Sequence, residues 1–264
     1  MKLTKLLLRA VKKLKSFKNR DKLQIGYENP KLLMSIKEKT ALYLNEIAAG
    51  EIGAESFRIL AAIGLLPRKP ELNIIDFGGS YGIHYAAAHK CFPSVNFKWV
   101  VIETPGLVSS VSKEKNTSGL FYTSSLASAT LFAGKFDLIF ANSSIHYSAD
   151  PINKLNEIVN LEADYIFITR TPLTNLRHPI NILQESRLTS NGPGKNRNIE
   201  DDTYVTYPCT ILNKQDFESV LLSKYRILLS FNEEVVSFTR AGLKFQNYGY
   251  FCHSLKLISS DRNI

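Results

Sequence analysis

Asp76-Phe77-Gly78-Gly79-Ser80-Tyr81-Gly82 stands directly after the apolar run Leu72-Asn73-Ile74-Ile75 and before IHYAAAHKCF, a stretch with the composition of a helix. A strand that turns this sharply into a helix, with a ligand lying over the backbone, needs residues without side chains at the points of close approach. Gly78, Gly79 and Gly82 supply them. Downstream, FKWVVIE, GLFYTSS, FDLIFAN and YIFITR repeat the character of LNIIDF. Each has strand length and is mostly apolar on both alternations, as strands buried on both faces of a parallel sheet must be. IHYAAAHKCF and PINKLNEIVNLEA supply crossover helices between them. YRILLSFNEE and YGYFCHSLKLI read as two closing strands joined by a loop, a candidate antiparallel finish. The alternation predicts an α/β fold: a Rossmann-like, doubly wound, mostly parallel seven-stranded sheet.

Upstream of the turn the rhythm is helical. KLLMSIKEKTALYLNEIAAG sets Leu33, Ile36, Thr40, Tyr43, Leu44 and Ile47 on one face and stops at Gly50; AESFRILAAIGLL follows and is closed off by Pro67 and Pro70. The chain therefore divides into a basic amphipathic helix over 1–20, a helical cap over 21–66 and the main domain over 67–264. Residues 171–210, a long polar stretch containing NGPGKNRN, are expected to form a loop or lid on the substrate side.

The formal net charge of +9 from 33 Lys+Arg and 24 Asp+Glu suggests a nucleic-acid partner until it is located. Eight basic residues and no acid lie in residues 1–20, leaving 25 basic against 24 acidic residues in the rest. A nearly neutral body argues against a nucleic-acid partner. In MKLTKLLLRAVKKLKSFKNR, Leu3, Leu6, Leu7, Ala10, Val11, Leu14 and Phe17 recur at helical spacing among the lysines. Three readings fit this segment: a helix lying on an anionic membrane surface, a helix packed on the body, or an organelle transit peptide. Cys91, Cys209 and Cys252 are odd in number and far apart, so neither a disulfide framework nor a zinc site is expected. His89, His178 and His253 share no metal-ligand spacing, and no metal is expected.

Ligand-capable residues stand at successive strand ends. Glu103 ends KWVVIE, where a carboxylate accepts hydrogen bonds from both hydroxyls of an adenosine ribose. Ser124, Ser125 and Leu126 follow FYT; Asn142, Ser143, Ser144, His146 and Tyr147 follow FDLIFA; Arg170 follows YIFIT. A nicotinamide fingerprint needs glycines at 78, 80 and 83, but positions 80 and 83 hold Ser and Ile. The spacing D-x-G-x-x-x-G instead resembles the first motif of class I S-adenosylmethionine-dependent methyltransferases.

The resemblance goes further. DFGGSYGIHY, WVVIETP, FDLIFANSSIHYSADP, ITRTP and YPCTILNKQDFESVL, spread over residues 65–260, are together similar to a family of methyltransferases encoded among bacterial lipopolysaccharide and other surface-polysaccharide genes. That resemblance implies S-adenosylmethionine as cofactor and a sugar or glycan precursor, or another small molecule, as acceptor. It also implies a cytoplasmic protein, at the inner face of the membrane if residues 1–20 bind there. Asp76, Gly78, Gly79, Ser80, Gly82, Glu103, Ser125, Leu126 and Asn142 are the expected cofactor residues. Methyl transfer to a hydroxyl favours a general base. His146 is the first candidate and His84 the second, each with packing as its alternative; Tyr85 and Tyr147 are candidate walls of the methyl pocket. Arg170 suits an anionic group on the acceptor and equally an internal ion pair. A nicotinamide-dependent sugar oxidoreductase and a non-catalytic, membrane-docked binding protein stay open beside the methyltransferase.

Overall fold

The structure, a computed structural model, describes residues 25–111, 118–194, 204–238 and 243–260. The amphipathic helix expected over residues 1–20 lies outside the described residues. A short helix α1 (Ile25–Glu28) leads into α2 (Pro30–Ala49) and α3 (Ala54–Gly64). Asn29 starts α2 by accepting a hydrogen bond from the Lys31 N–H at 2.9 Å, Pro30 occupies its first turn, and Gly50 ends it at φ 92°.

The sheet elements follow as β1 (Glu71–Phe77), α4 (Ile83–Cys91), β2 (Asn96–Ile102), α5 (Pro105–Val111), β3 (Leu120–Thr123), α6 (Leu126–Ala133), β4 (Leu138–Asn142), α7 (Pro151–Asn160) and β5 (Tyr165–Thr174). A hairpin comes next, β6 (Ile180–Arg187) and β7 (Tyr204–Asn213), then α8 (Lys214–Leu222), β8 (Tyr225–Phe238), β9 (Leu243–Ser254) and α9 (Leu255–Ser260). Strands β3-β2-β1-β4-β5 lie side by side in parallel, β9 is antiparallel to β5, and β8 is antiparallel to β9. These seven strands are the mostly parallel, doubly wound sheet expected.

The described residues of 171–210 do not form an irregular loop. Strand β5 runs on to Thr174, and the whole of β6 pairs antiparallel with Tyr204–Ile211 of β7. The hairpin meets the main sheet through Leu173–Leu212 and Thr174–Asn213, so the described sheet counts nine strands.

Each face of the sheet has its own core because neighbouring residues of a strand point to opposite sides. Ile75, Val100 and Ile139 pack with Leu155 and Ile158 of α7 and Phe217 of α8. Ile74, Trp99 and Phe140 pack on the other side with Ile59 and Ile63 of α3 and Tyr85 of α4. Fully burying one such side chain contributes about 1.5–3 kcal/mol, and Trp99, Ile74, Ile75, Ile139 and Phe140 are all completely buried. The cap is anchored by Tyr43 and Ile47 of α2 against Ile83 and Ala87 of α4. Strand order reverses between β1 and β4, so a crevice opens at their carboxyl ends, the usual place for a ligand in such sheets.

Candidate functional site

Two cavities of about 400 and 420 Å3 adjoin at that crevice and share Tyr27, Gly78, Ser143, Tyr147 and Tyr207. Phe77, Ile102, Leu126 and Pro105 give the first an apolar wall, with Glu103, Thr104 and Ser124 beside it. The second is polar, lined by Ser80, His84, Asn142, Arg170, Gln184 and Asn191 among others.

The glycine turn is shaped by contacts inside the protein. A Cβ on Gly78, at φ 78°, would stand 2.4 Å from the Ser144 Cβ. One on Gly79 would stand 2.3 Å from the Asp76 carboxylate, and one on Gly82, also at φ 78°, 2.6 Å from the Tyr122 hydroxyl. Gly78 and Gly79 line the cavities as well, whereas Gly82 lines neither and starts α4. Ser80, Ser143 and Arg170 adopt φ of 53°, 54° and 55°. Left-handed backbone at a non-glycine residue costs roughly 1–2 kcal/mol; all three of these residues line the second cavity. Strain gathered in this way is characteristic of functional edges.

Glu103 is half-buried just past β2, and its two oxygens accept the N–H groups of Ser80, at 2.9 Å, and Thr104, at 3.0 Å. Burial pushes its carboxyl up to about 7 against those two hydrogen bonds. Around it, Asp76 Oδ1, Ser80 Oγ, Thr104 Oγ1 and Asn142 Oδ1 are buried with no hydrogen-bond partner. Buried polar atoms are nearly always satisfied, and three of these four, on Ser80, Thr104 and Asn142, belong to residues that line the cavities, where the polar groups of a ligand would meet them.

The structure separates the remaining candidates. His84 lines the second cavity and pairs its Nδ1 with Asp76 Oδ2 at 2.9 Å. Asp76 is fully buried and lines neither cavity. Leu126, Asn142, Tyr147 and Arg170 line one cavity or both. His146 lines neither: it is 2% exposed, packs its ring against Tyr147 at 4.1 Å, and burial, with Arg170 adding to it, holds its imidazole down at about 3. Its short 3-10 turn, Ile145–Tyr147, sends Tyr147 to the cavity and His146 inward, which removes His146 from the place a base must occupy. Tyr85 is turned into the core, its hydroxyl donating to the Ser118 carbonyl at 2.8 Å, and forms no pocket wall. Ser125 caps α6 by accepting from the Ser128 N–H, leaving Ser124 to line the cavity. Arg170 sits at a bulge within β5, with Nε donating to Glu234 at 3.2 Å and its backbone N–H donating to Glu233. Glu233 also accepts from Arg58 and Thr169, while the ion pair with Glu234 is the role that the Arg170 side chain visibly fills.

Three tyrosines at the junction of the cavities were not all foreseen. Tyr27 of α1 lies 5.4 Å from Tyr147 and 4.7 Å from Tyr207, ring centre to ring centre. Burial raises all three phenols, so they stay neutral. The Tyr147 hydroxyl donates to Gln184 at 2.9 Å, tying the end of β4 to the hairpin. Periodicity carries no signal for Tyr27, which enters the site from the short helix α1 at the start of the cap. The hairpin residues Gln184, Asn191 and Tyr207 sit in the tract read as a loop.

No protein-family model matches the chain, and no curated protein matches it. Among solved structures, an S-adenosylmethionine-dependent methyltransferase from Methanosarcina mazei is 12% identical over 71% of this chain and 94% of its own, with a TM-score of 0.45. The YcgJ protein of Bacillus subtilis is 12% identical over 74% of this chain and 96% of its own, at 0.45. The N-methyltransferase NodS of Bradyrhizobium japonicum, solved with S-adenosyl-L-homocysteine, is 11% identical over 70% of this chain and 78% of its own, at 0.40. Likenesses of this degree carry no weight about activity or substrate, which rest on the residues of the crevice.

Proposed function

We propose that the chain is an S-adenosylmethionine-dependent methyltransferase that O-methylates a sugar or glycan precursor. The observation that carries the reading is Glu103, held by the Ser80 N–H beside the glycine turn in a cavity with an apolar wall. A carboxylate there suits a ribose diol, Ile102 and Leu126 suit a flat base, and the orphaned oxygens of Ser80 and Asn142 suit the polar end of such a ligand. When bound, S-adenosylmethionine supplies an electrophilic methyl group.

The chain's own task is then to hold an acceptor hydroxyl in line, exclude water and remove a proton. The second cavity offers amides for hydroxyl recognition in Asn142, Gln184 and Asn191, and tyrosine faces for the apolar side of a sugar ring. His84, not His146, is the group there that takes the hydroxyl proton. Residues 1–20 would bring the enzyme to an anionic membrane surface, where glycan precursors are assembled.

Calorimetry with S-adenosylmethionine, S-adenosylhomocysteine and NAD tests the reading. Micromolar binding of the first two, weakened at least tenfold in Glu103→Ala, is expected. Binding of NAD alone, or equal affinity in the variant, would refute it.

A further inference from the structure

We propose that Asp76, the acid that opens the glycine motif, is a positioning residue for His84: it fixes the imidazole with its proton on Nδ1 and its lone pair on Nε2, turned to the acceptor cavity. The inference deepens the methyltransferase reading and rests on it for the identity of the acceptor.

The geometry is that of a buried acid holding a base. Asp76 is fully buried, and its Oδ2 faces His84 Nδ1 at 2.9 Å while also accepting the Trp99 indole N–H at 3.4 Å. An indole nitrogen can only donate, so Trp99 steadies the carboxylate without competing for the proton on His84. The imidazole stands edge-on to Phe140, with ring centres 5.1 Å apart, so the ring is fixed in plane as well as in partner. His84 is 4% exposed, yet it lines the second cavity. With Nδ1 committed, Nε2 is the nitrogen left for that cavity. A carboxylate accepts only, so the imidazole must donate from Nδ1, and the Nε2 lone pair follows.

Gly79 gives the arrangement its second support. A Cβ at that position would stand 2.3 Å from both Asp76 Cγ and Oδ2, so the second glycine of the motif makes room for the acid itself. In the reaction the acceptor hydroxyl gives its proton to Nε2 while Nδ1 keeps its own, and the resulting imidazolium has Asp76 as counter-ion until the proton passes to solvent. The carboxylate beside the far nitrogen holds the ring in the competent tautomer.

The test is nitrogen-15 NMR of the histidines in the full-length protein at pH 8, with His84 assigned by its loss in His84→Gln. The wild type should show Nδ1 protonated and Nε2 bare, by at least ten to one. Asp76→Asn, close in shape, should bring the ratio towards one, and Gly79→Ala, whose added Cβ meets the Asp76 carboxylate first, should do the same by displacing it. A wild-type His84 protonated on Nε2, or a ratio unmoved by both substitutions, would overturn the proposal; the wild-type measurement stands even if a variant fails to fold. S-adenosylhomocysteine titrated into the same samples reads the cofactor separately: its failure to bind would sink the methyltransferase reading and leave the tautomer result intact.

Discussion

Burial raises the Glu103 carboxyl to about 7, so near neutral pH a large share of it is protonated in the ligand-free protein. A ribose diol donates two O–H groups and prefers the ionised acid. If Glu103 holds the ribose, S-adenosylhomocysteine affinity should fall as pH drops through 7, by about tenfold per unit once well below it. Stability should move the opposite way. An acid whose folded value is raised adds stability that is fully present below its unfolded value, near 4.5, and is lost as pH rises through about 7. Glu103→Gln removes that titration. At pH 8 the ligand-free variant should be more stable than wild type, by on the order of 1–2 kcal/mol, while binding S-adenosylhomocysteine at least tenfold more weakly. Urea unfolding at pH 5.5 and 8 with calorimetry on the same variant checks both halves; a variant less stable at pH 8 with unchanged affinity would reject the account. The same residue marks how far the site could be read from sequence. Glu103, Gly78 and Asn142 could be placed on the crevice from sequence because a strand end fixes where its next residue points, whatever the rest of the chain does. His146 misled because one residue of a 3-10 turn decides between cavity and core, and sequence spacing does not resolve that turn.

At the scale of elements, the parallel strands were legible because strands buried on both faces must be apolar throughout. The hairpin was not, because β6 is mostly exposed or half-buried and its polar residues resemble those of a loop. A signal was present in β7, where Val205, Tyr207, Cys209 and Ile211 are buried in alternation along the strand. Also unread was Lys39 of α2, 4% exposed and aligned with the apolar face of the helix. Its ammonium donates to the carbonyls of Thr189, at 2.8 Å, and Gly192, at 3.3 Å, pinning the turn after β6 to the cap. Ser190, Asn191 and Gly192 of that turn line the second cavity. Lys39→Met keeps the length of the stem and removes the donors to the two carbonyls, of which that of Thr189 is buried, at a cost of about 1–3 kcal/mol. The expected outcome is faster proteolysis between residues 188 and 194, with S-adenosylhomocysteine affinity changed less than twofold because the first cavity is untouched. Unaltered cleavage there would show that the hairpin holds the turn without the cap.

For the whole molecule, the position of the charge decides which long-range forces act. A body with 25 basic and 24 acidic residues has no general field to draw an anionic polymer, so recognition falls to the crevice. Among the described residues no helix is long and apolar enough to cross a membrane. The proposed contact is made by residues 1–20, whose eight basic residues could each contribute on the order of 1 kcal/mol near an anionic bilayer. Ordering the backbone costs about 1–2 kcal/mol per residue, so the gain from the apolar stripe is needed as well and attachment should be reversible. Tyr27, only a few residues farther along, already lines the cavities. Docking would therefore hold the crevice within a short tether of the membrane surface. Deleting residues 1–20 should abolish co-sedimentation with vesicles containing a third anionic lipid and leave S-adenosylhomocysteine affinity within twofold. In the intact chain, raising salt from 0.1 to 0.5 M should weaken vesicle binding severalfold, since the Debye length falls by about half. Retained vesicle binding after the deletion would transfer the attraction to the body, where the near balance of charge leaves no ready source for it.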